Sequence, residues 1–182
     1  TYALDKLFFV IATQNPLDLV GTYPLPTPQL DRFLFKISMD HIDREAELEV
    51  LDSIKERKRL LGNQNKVNRD DVLKARETIF TQINIDQAIK TTLVDISTNL
   101  RKDERVLQGN STRSMVLLLP ALQVRAAIRG RSYVSSEDIE NLIPEVLNHR
   151  IELVPGVSDF DKVLQDNMER PLEELAKSTL TK

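Results

Sequence analysis

The sequence predicts a mixed fold, in which a short α/β segment precedes a mostly α-helical domain. Two short runs, a continuous apolar one from Leu7 to Ala12 and an alternating one from Phe33 to Met39, are typical of strands. After them, apolar residues recur at helical spacing between residues that favour helix caps. We therefore predict two domains, an incomplete α/β piece at residues 1–42 and a helical domain with a C-terminal tail at residues 43–182.

The first strand is apolar on both faces, which is typical of a central strand in a parallel sheet. Such a strand needs neighbours on both sides, and this chain offers few, so we expect the sequence to be the C-terminal part of a longer protein. The loop over residues 13–28 holds four of the eight prolines, and loops of this length are usually functional. Thr27 as a cap, with Pro28 at the first helical position, predicts a short helix that ends at Arg32.

Cap residues and apolar stripes predict five further helices. They run from Arg44 to Leu61, from Asn68 through Phe80, from Asp86 through Leu100, from Ser111 to about Ile128, and from Ser135 through Ile143. Pro120 is expected to kink or interrupt the fourth helix, which Gly130 should end. Ser135 to Asp138 predict a capping box for the fifth. A short extended piece at residues 150–154 and a last helix, from Phe160 to about Lys177 with a break before Pro171, complete the chain.

Composition and charge exclude several classes of protein. Of 182 residues, 41% are hydrophobic, which is enough for a core and excludes wholesale disorder. The chain has 25 basic and 28 acidic residues, so a protein that binds nucleic acid by bulk positive charge is not expected. The absence of cysteine and the presence of only two histidines exclude thiolate nucleophiles, zinc fingers and histidine-rich metal sites. No apolar run approaches the roughly 20 residues of a membrane span, and no secretory signal is evident, so we expect a cytoplasmic protein.

Three side chains are candidates for a phosphate site, and each also has a purely structural interpretation. Asn15 follows the first strand, where its amide can donate to a phosphate oxygen or hold a water, but Asn-Pro is also a common turn. Arg32 can reach a phosphate on another subunit, or it can form a surface ion pair with Asp31. Arg113 lies in the first turn of an apolar helix, where a cation is unfavourable unless an anion shares the site.

Other signals are weak or missing. The basic run from Lys55 to Arg59 suits a solvated helix end better than a surface for DNA. The sequence has no Gly-x-x-x-x-Gly-Lys-Ser/Thr phosphate loop, and no acidic pair follows an apolar strand to hold magnesium. The two histidines offer no plausible Ser-His-Asp set.

Several short motifs occur in a specific order along the chain. They are Ala12-Thr13-Gln14-Asn15-Pro16, Gly21-Thr22-Tyr23-Pro24-Leu25-Pro26, Gln29-Leu30-Asp31-Arg32-Phe33, Gly109-Asn110-Ser111-Thr112-Arg113, Arg129-Gly130-Arg131-Ser132-Tyr133-Val134, Glu137-Asp138-Ile139, Pro144-Glu145-Val146-Leu147 and His149-Arg150. Together they resemble the MoxR family of AAA+ ATPases from about residue 7 to residue 154. Pro120 departs from the usual helix of that family, and the tail after Gly156 matches least well.

The resemblance implies a role for each candidate residue. Asn15 would be the sensor 1 residue, which positions the attacking water or contacts the γ-phosphate. Arg32 would be the arginine finger, which acts on the nucleotide of a neighbouring subunit. Arg113 would be the sensor 2 arginine, which the helical lid brings to the nucleotide of its own subunit. The phosphate loop and the magnesium-binding motif of the family would lie before Thr1, so this chain alone should not hydrolyse ATP.

The resemblance also implies a fold and a function. Residues 1–42 would be the end of an AAA+ ATPase core, and residues 43–182 would be its helical lid and tail. The whole protein would be a chaperone-like ATPase that uses ATP and Mg²⁺, forms a homo-oligomeric ring such as a hexamer, and acts with proteins that carry von Willebrand factor A domains. Alternatives are another AAA+ machine, such as a magnesium chelatase ATPase subunit or a DNA-remodelling motor, and a non-enzymatic helical interaction module.

Overall fold

The computed structural model describes residues 2–14, 25–54 and 67–180. Its elements, in chain order, are α1 (Thr27–Leu30), α2 (Arg44–Asp52), α3 (Arg69–Gln82), α4 (Gln87–Lys102), β1 (Val106–Gln108), α5 (Thr112–Ile128), α6 (Ser136–Leu147), β2 (Glu152–Leu153) and α7 (Phe160–Leu180). The two strands pair antiparallel, with Val106 opposite Leu153. The predicted mostly helical domain is therefore confirmed, and β2 lies in the segment predicted to be extended.

The core is formed by helices α4 to α7. The predicted stripe on α4 is fully buried, and it packs against α7, while α5 packs against α6. The buried apolar residues are Ile89, Leu93, Ile96, Leu100, Met115, Leu118, Leu122, Ala126, Val134, Ile139, Ile143, Val146, Leu147, Ile151, Val163, Leu164, Met168 and Leu175. Helix α7 supplies several of these residues, so the C-terminal tail belongs to the same core as the rest of the helical domain.

Several helix ends follow the predicted caps, although the predicted cap Thr27 is the first residue of α1, which ends at Leu30 rather than Arg32. The side chains of Asn68 and Asp86 accept hydrogen bonds from the backbone of α3 and α4 at 3.1 and 2.8 Å. The Asp138 carboxylate accepts the backbone N–H of Ser135 at 2.9 Å, as the predicted capping box requires. Gly130 follows α5 with φ of +72°, a conformation that glycine adopts at little cost.

Helices α5 and α7 continue through Pro120 and Pro171, so the predicted break before Pro171 is wrong and Pro120 does not interrupt its helix. Proline removes the hydrogen bond to the carbonyl four residues earlier. For Pro120 that carbonyl belongs to Val116, a residue that is 60% exposed. For Pro171 it belongs to Asn167, whose carbonyl accepts a hydrogen bond from the Asn99 side chain of α4 at 3.3 Å. The carbonyl freed by Pro171 therefore has another donor.

The two predicted strands are not formed. Residues 7–12 and 33–39 have no strand structure, and apolar side chains in both runs are exposed, with Phe9 at 76% and Ile37 at 74%. A strand is stable only when neighbouring strands pair with its backbone. Within the described residues no strand lies beside either run. Leu34 is the residue of the second run that packs against the helical core.

Helix α2 is shorter than predicted, and its apolar stripe is not buried. It ends at Asp52 with Ser53 as its C-cap, so the predicted continuous helix to Leu61 is interrupted there. Leu48, Leu51 and Ile54 are 46%, 62% and 50% exposed, because no described element covers that face. The predicted helix end at Gly62 and the basic run from Lys55 lie outside the described residues.

None of the helices in the described ranges is both long enough and apolar enough to cross a bilayer.

Candidate functional site

Arg32 is presented at the surface by a tight turn. Its backbone N–H bonds to the carbonyl of Gln29 at 3.3 Å, and the next N–H, of Phe33, bonds to Leu30 at 3.0 Å. These bonds continue the turn of α1 and fix the backbone on both sides of the arginine. The guanidinium is exposed, and within the described residues it forms neither a hydrogen bond nor an ion pair. The alternative surface pair with Asp31 is therefore not formed.

The preceding residue, Asp31, is paired instead with Arg150. Arg150 Nε lies 2.9 Å from Asp31 Oδ1, and the arginine side chain is only 1% exposed. The same guanidinium donates to the backbone carbonyls of Asp31 at 3.1 Å and Leu34 at 3.0 Å. It also donates to the carbonyls of Phe33 and Val146. Burial lowers the pKa of Arg150, and the Asp31 carboxylate opposes that shift.

His149 contacts the same segment. Its Nε2 lies 3.0 Å from the Phe33 carbonyl, which can only accept, so Nε2 carries the hydrogen. Nδ1 is buried and has no partner within the described residues. Burial lowers the pKa of His149, although the bond to Phe33 opposes the shift. A proton on Nδ1 would place an unpaired N–H in the interior, so the surroundings disfavour the charged form of the imidazole.

Arg113 occupies the first turn of α5, as predicted. The loop before this helix is fixed by the buried Asn110, whose Nδ2 donates to Ser97 Oγ of α4 at 3.0 Å. Arg101 adds a bond from its Nε to the Asn110 carbonyl at 3.0 Å. Ser111 does not cap the helix with its side chain. The Arg113 side chain is exposed and unpaired within the described part of the chain.

The Asp31 carboxylate joins the two arginine-bearing segments. Ser114 Oγ donates to Asp31 Oδ1 at 3.4 Å, and Ser111 Oγ approaches Asp31 Oδ2 at 3.5 Å. The turn that carries Arg32 thus docks on the first turn of α5, which carries Arg113. The structure therefore brings two of the three predicted site residues together in neighbouring segments.

The chemistry of this region fits a phosphate group. Arg113 lies in the first turn of α5, where the helix dipole favours an anion, and Asp31 of the Arg32 turn contacts Ser111 and Ser114 at the same helix end. Both guanidinium groups are exposed and have no partner within the described residues. The region does not fit a magnesium ion. In the described ranges, no group of three or more aspartate, glutamate or histidine side chains is placed to hold a metal. The third predicted site residue, Asn15, lies outside the described residues.

The sequence placed Asp31, His149 and Arg150 in family motifs and offered Asp31 as a partner for Arg32, but it did not predict that Arg150 and His149 contact the Arg32 turn. The sequence nevertheless contains a pattern that is typical of buried polar residues at His149 and Arg150. His149 and Arg150 stand between Val146 and Ile151, which continue the apolar pattern of α6, and polar residues inside such a pattern are often buried and paired.

Comparisons with known proteins match this chain to two AAA family models and to bacterial relatives. The family described as "AAA lid domain" matches residues 98–171, and the one described as "ATPase family associated with various cellular activities (AAA)" matches residues 1–35. The chain is 39% identical over 160 residues to the uncharacterized protein YeaC of Bacillus subtilis, covering 85% of this chain and 48% of YeaC. It is 33% identical over 164 residues to the chaperone MoxR1 of Mycobacterium tuberculosis, covering 84% of this chain and 42% of that protein.

A solved structure shares the fold. The crystal structure "of a putative ATPase" from Cytophaga hutchinsonii superposes with a TM-score of 0.79 at 31% sequence identity, over 92% of this chain and 55% of that one. The chain therefore spans about half the length of the proteins it matches.

Proposed function

The chain belongs to the MoxR family of AAA+ ATPases, and we propose that the whole protein hydrolyses ATP as a ring and uses the cycle as a chaperone for partner proteins. The observation that carries the proposal is the docking of the Arg32 turn on the first turn of α5 through Asp31, which leaves Arg32 and Arg113 exposed and without a partner among the described residues. We also propose a cytoplasmic hexamer and partners with von Willebrand factor A domains.

The roles that the resemblance implies agree with the chemistry of phosphoryl transfer, which needs positioning and neutralisation of charge more than covalent help. Arg32 would donate to the γ-phosphate of a neighbouring subunit's ATP. Arg113 would bind a phosphate with the help of the α5 N-terminus. Asn15 would orient the attacking water. Bound Mg²⁺ would neutralise phosphate charge, and its ligands would come from a part of the protein other than the described residues.

Experiment can decide whether Arg113 acts on the nucleotide of its own subunit or on that of a neighbour. The resemblance assigns it to the nucleotide of its own subunit. The Asp31 contact ties its helix turn to the segment that carries Arg32, which favours action of both arginines at one subunit interface. Mixed rings distinguish the two, because a residue that acts on a neighbour can be complemented by a subunit whose own pocket is disabled.

The decisive experiment replaces Arg32 in the whole protein. Arginine fingers contribute about 10³–10⁵ in kcat, so Arg32→Ala should remove most turnover while ATP binding and folding stay intact. Mixing it with a phosphate-loop variant should restore part of the activity, because some interfaces then combine an intact arginine with an intact pocket.

Arg129→Ala is the matched control, since Arg129 is also exposed but follows the opposite end of α5. It should leave turnover unchanged. Normal turnover in Arg32→Ala, or mixing that never restores activity, would contradict the role in trans. Residues 1–182 alone should release no phosphate above background, and magnesium-dependent release by this chain would show that the missing phosphate loop is not needed.

A further inference from the structure

We infer that Arg150 is a positioning residue that ties the main chain around Arg32 to the helical domain, so that movement of this domain is passed on to Arg32. The inference rests on the proposed role of Arg32. It concerns how the arginine is held and moved, which the family resemblance does not address.

The first observation is which backbone carbonyls accept hydrogen bonds from Arg150. Arg150 donates to the carbonyls of Asp31 and Phe33, which are the residues on either side of Arg32. His149 donates to the Phe33 carbonyl as well. These bonds fix the backbone on both sides of Arg32 and leave its side chain free to project.

The second observation is where Arg150 is itself anchored. It lies three residues after the last residue of α6, with its backbone N–H bonded to the Leu147 carbonyl at 2.9 Å and its guanidinium bonded to the Val146 carbonyl. Both Val146 and Leu147 are fully buried in the helical core. Arg150 therefore moves with α6, and the Arg32 turn must move with Arg150 as long as these bonds hold.

The third observation is that the connection reaches α5. The Asp31 carboxylate receives Arg150 Nε together with the hydroxyls of Ser111 and Ser114. A rotation of the helical domain would thus carry Arg32 and the first turn of α5 as one unit. The two proposed phosphate-binding arginines would keep their relative placement while both approach or leave a nucleotide.

Arginine is required for this arrangement. Its planar guanidinium presents five donors in a fixed geometry, whereas a lysine ammonium is a single point that cannot reach the carboxylate and four carbonyls together. Arg150→Lys keeps the charge and much of the volume, so it tests the arrangement of bonds rather than the presence of a cation.

The test uses the whole protein with Arg150→Lys. A misplacement of about 1 Å can cost about 10²-fold in rate, so we expect kcat to fall by about that factor while the affinity for ATP is unchanged. Combined with Arg32→Ala, the substitution should cause no further loss, because Arg150 acts only through Arg32. Mixing with a phosphate-loop variant should restore activity in part, as for Arg32→Ala.

Arg131→Lys is the matched control. Arg131 pairs with the buried Asp138 at 2.7 Å at the opposite end of α6, so the variant should lose comparable stability. It should keep its turnover, because Arg131 makes no contact with the Arg32 turn in the described structure. If Arg150→Lys fails to fold, Asp31→Asn offers a milder change, since Asp31 is 23% exposed and its backbone carbonyl is retained.

Amide hydrogen exchange separates failure of this inference from failure of the proposed function. Arg150→Lys should accelerate exchange at the N–H groups of Arg32 and Phe33, and Arg131→Lys should not, whatever the role of Arg32 in hydrolysis. Unchanged exchange and unchanged kcat in Arg150→Lys would overturn the inference. Faster exchange in Arg150→Lys, together with normal turnover in Arg32→Ala, would instead contradict the role of Arg32 in hydrolysis.

Discussion

The helical core and the N-terminal third of the chain carry equally clear apolar patterns, yet they fold differently. The stripe of α4 is buried to within a few per cent, whereas the apolar runs of residues 7–12 and the stripe of α2 face solvent. The difference lies in the partners. Helix α4 finds α7 within the described chain, and the N-terminal runs find no described element to cover them. An apolar sequence pattern therefore predicts which face of a helix or strand is apolar. Whether that face is buried depends on a second surface that fits against it.

One stretch of the N-terminal third is an exception. Residues 31–34 are docked on the helical domain, and polar contacts with Arg150 and His149 hold them more than apolar ones do. Only Leu34 adds an apolar contact to the core. The docking of residues 31–34 fixes the backbone around Arg32, the residue for which we propose a role in hydrolysis.

The largest effect should come from opening a cavity in the core. Leu118 is completely buried, so Leu118→Ala should lower the free energy of unfolding by about 2–5 kcal/mol. Phe9→Ala is the matched substitution in the exposed region, and it should change stability by less than about 0.5 kcal/mol. Urea unfolding of both variants checks the comparison. A large loss in Phe9→Ala would mean that residues 7–12 are buried against some partner in solution.

Removing the N-terminal region should have a smaller effect. A chain of residues 43–182 retains all of α4 to α7 and should unfold in one cooperative transition. It loses the carbonyls and the carboxylate that satisfy Arg150, which we expect to cost about 1–3 kcal/mol. Circular dichroism during heating would show this as a lower midpoint with an unchanged shape. Loss of the cooperative transition would place the domain boundary elsewhere.

Within the core, the bond that accommodates Pro171 should contribute less. Asn99→Ala removes the donor to the Asn167 carbonyl, and we expect a loss of about 0.5–1.5 kcal/mol. Asn141→Ala is the control, because the Asn141 side chain bonds to the Glu137 carbonyl at an exposed position. It should be nearly neutral in the same denaturation experiment. Equal losses in both variants would mean that burial of the acceptor does not matter.

The smallest effect concerns pH and tests the docked stretch. The pKa of His149 lies below its ordinary value of 6.5 in the folded protein, chiefly because of burial. The unfolded chain then binds more protons, so stability should fall as the pH decreases from above 6.5 through the folded pKa. Arg150 and Lys36 nearby disfavour the proton further, and Asp31 favours it. Denaturation at several pH values measures the slope.

His149→Gln should remove this slope, and the exposed His41→Gln should leave it in place. In residues 43–182 the slope should weaken, because removal of the docked stretch opens the imidazole to water. A slope of unchanged size in that truncated chain would contradict the proposed burial by residues 31–34.

Much of the helical domain could be predicted from the sequence because its signals are local. Asn68 and Asp86 cap their helices through atoms only two residues away, and the α4 stripe is set by helical geometry alone. The exposure of α2 and of residues 7–12 could not be predicted, since burial depends on surfaces distant in sequence. For the same reason the candidate arginines could be named from motifs, but not the link between Asp31 and Arg150, which spans 119 positions.

The unbroken helix at Pro171 links two positions that sequence divergence would otherwise change independently. As long as residue 171 is proline, the Asn167 carbonyl depends on a donor at position 99, one helix away. In a relative whose residue 171 is not proline, the backbone N–H of that residue would bond to the Asn167 carbonyl within α7. Position 99 would then no longer need a hydrogen-bond donor. Substitutions at positions 99 and 171 should therefore occur together among relatives. This constraint on the evolution of α4 and α7 is not visible in either helix alone.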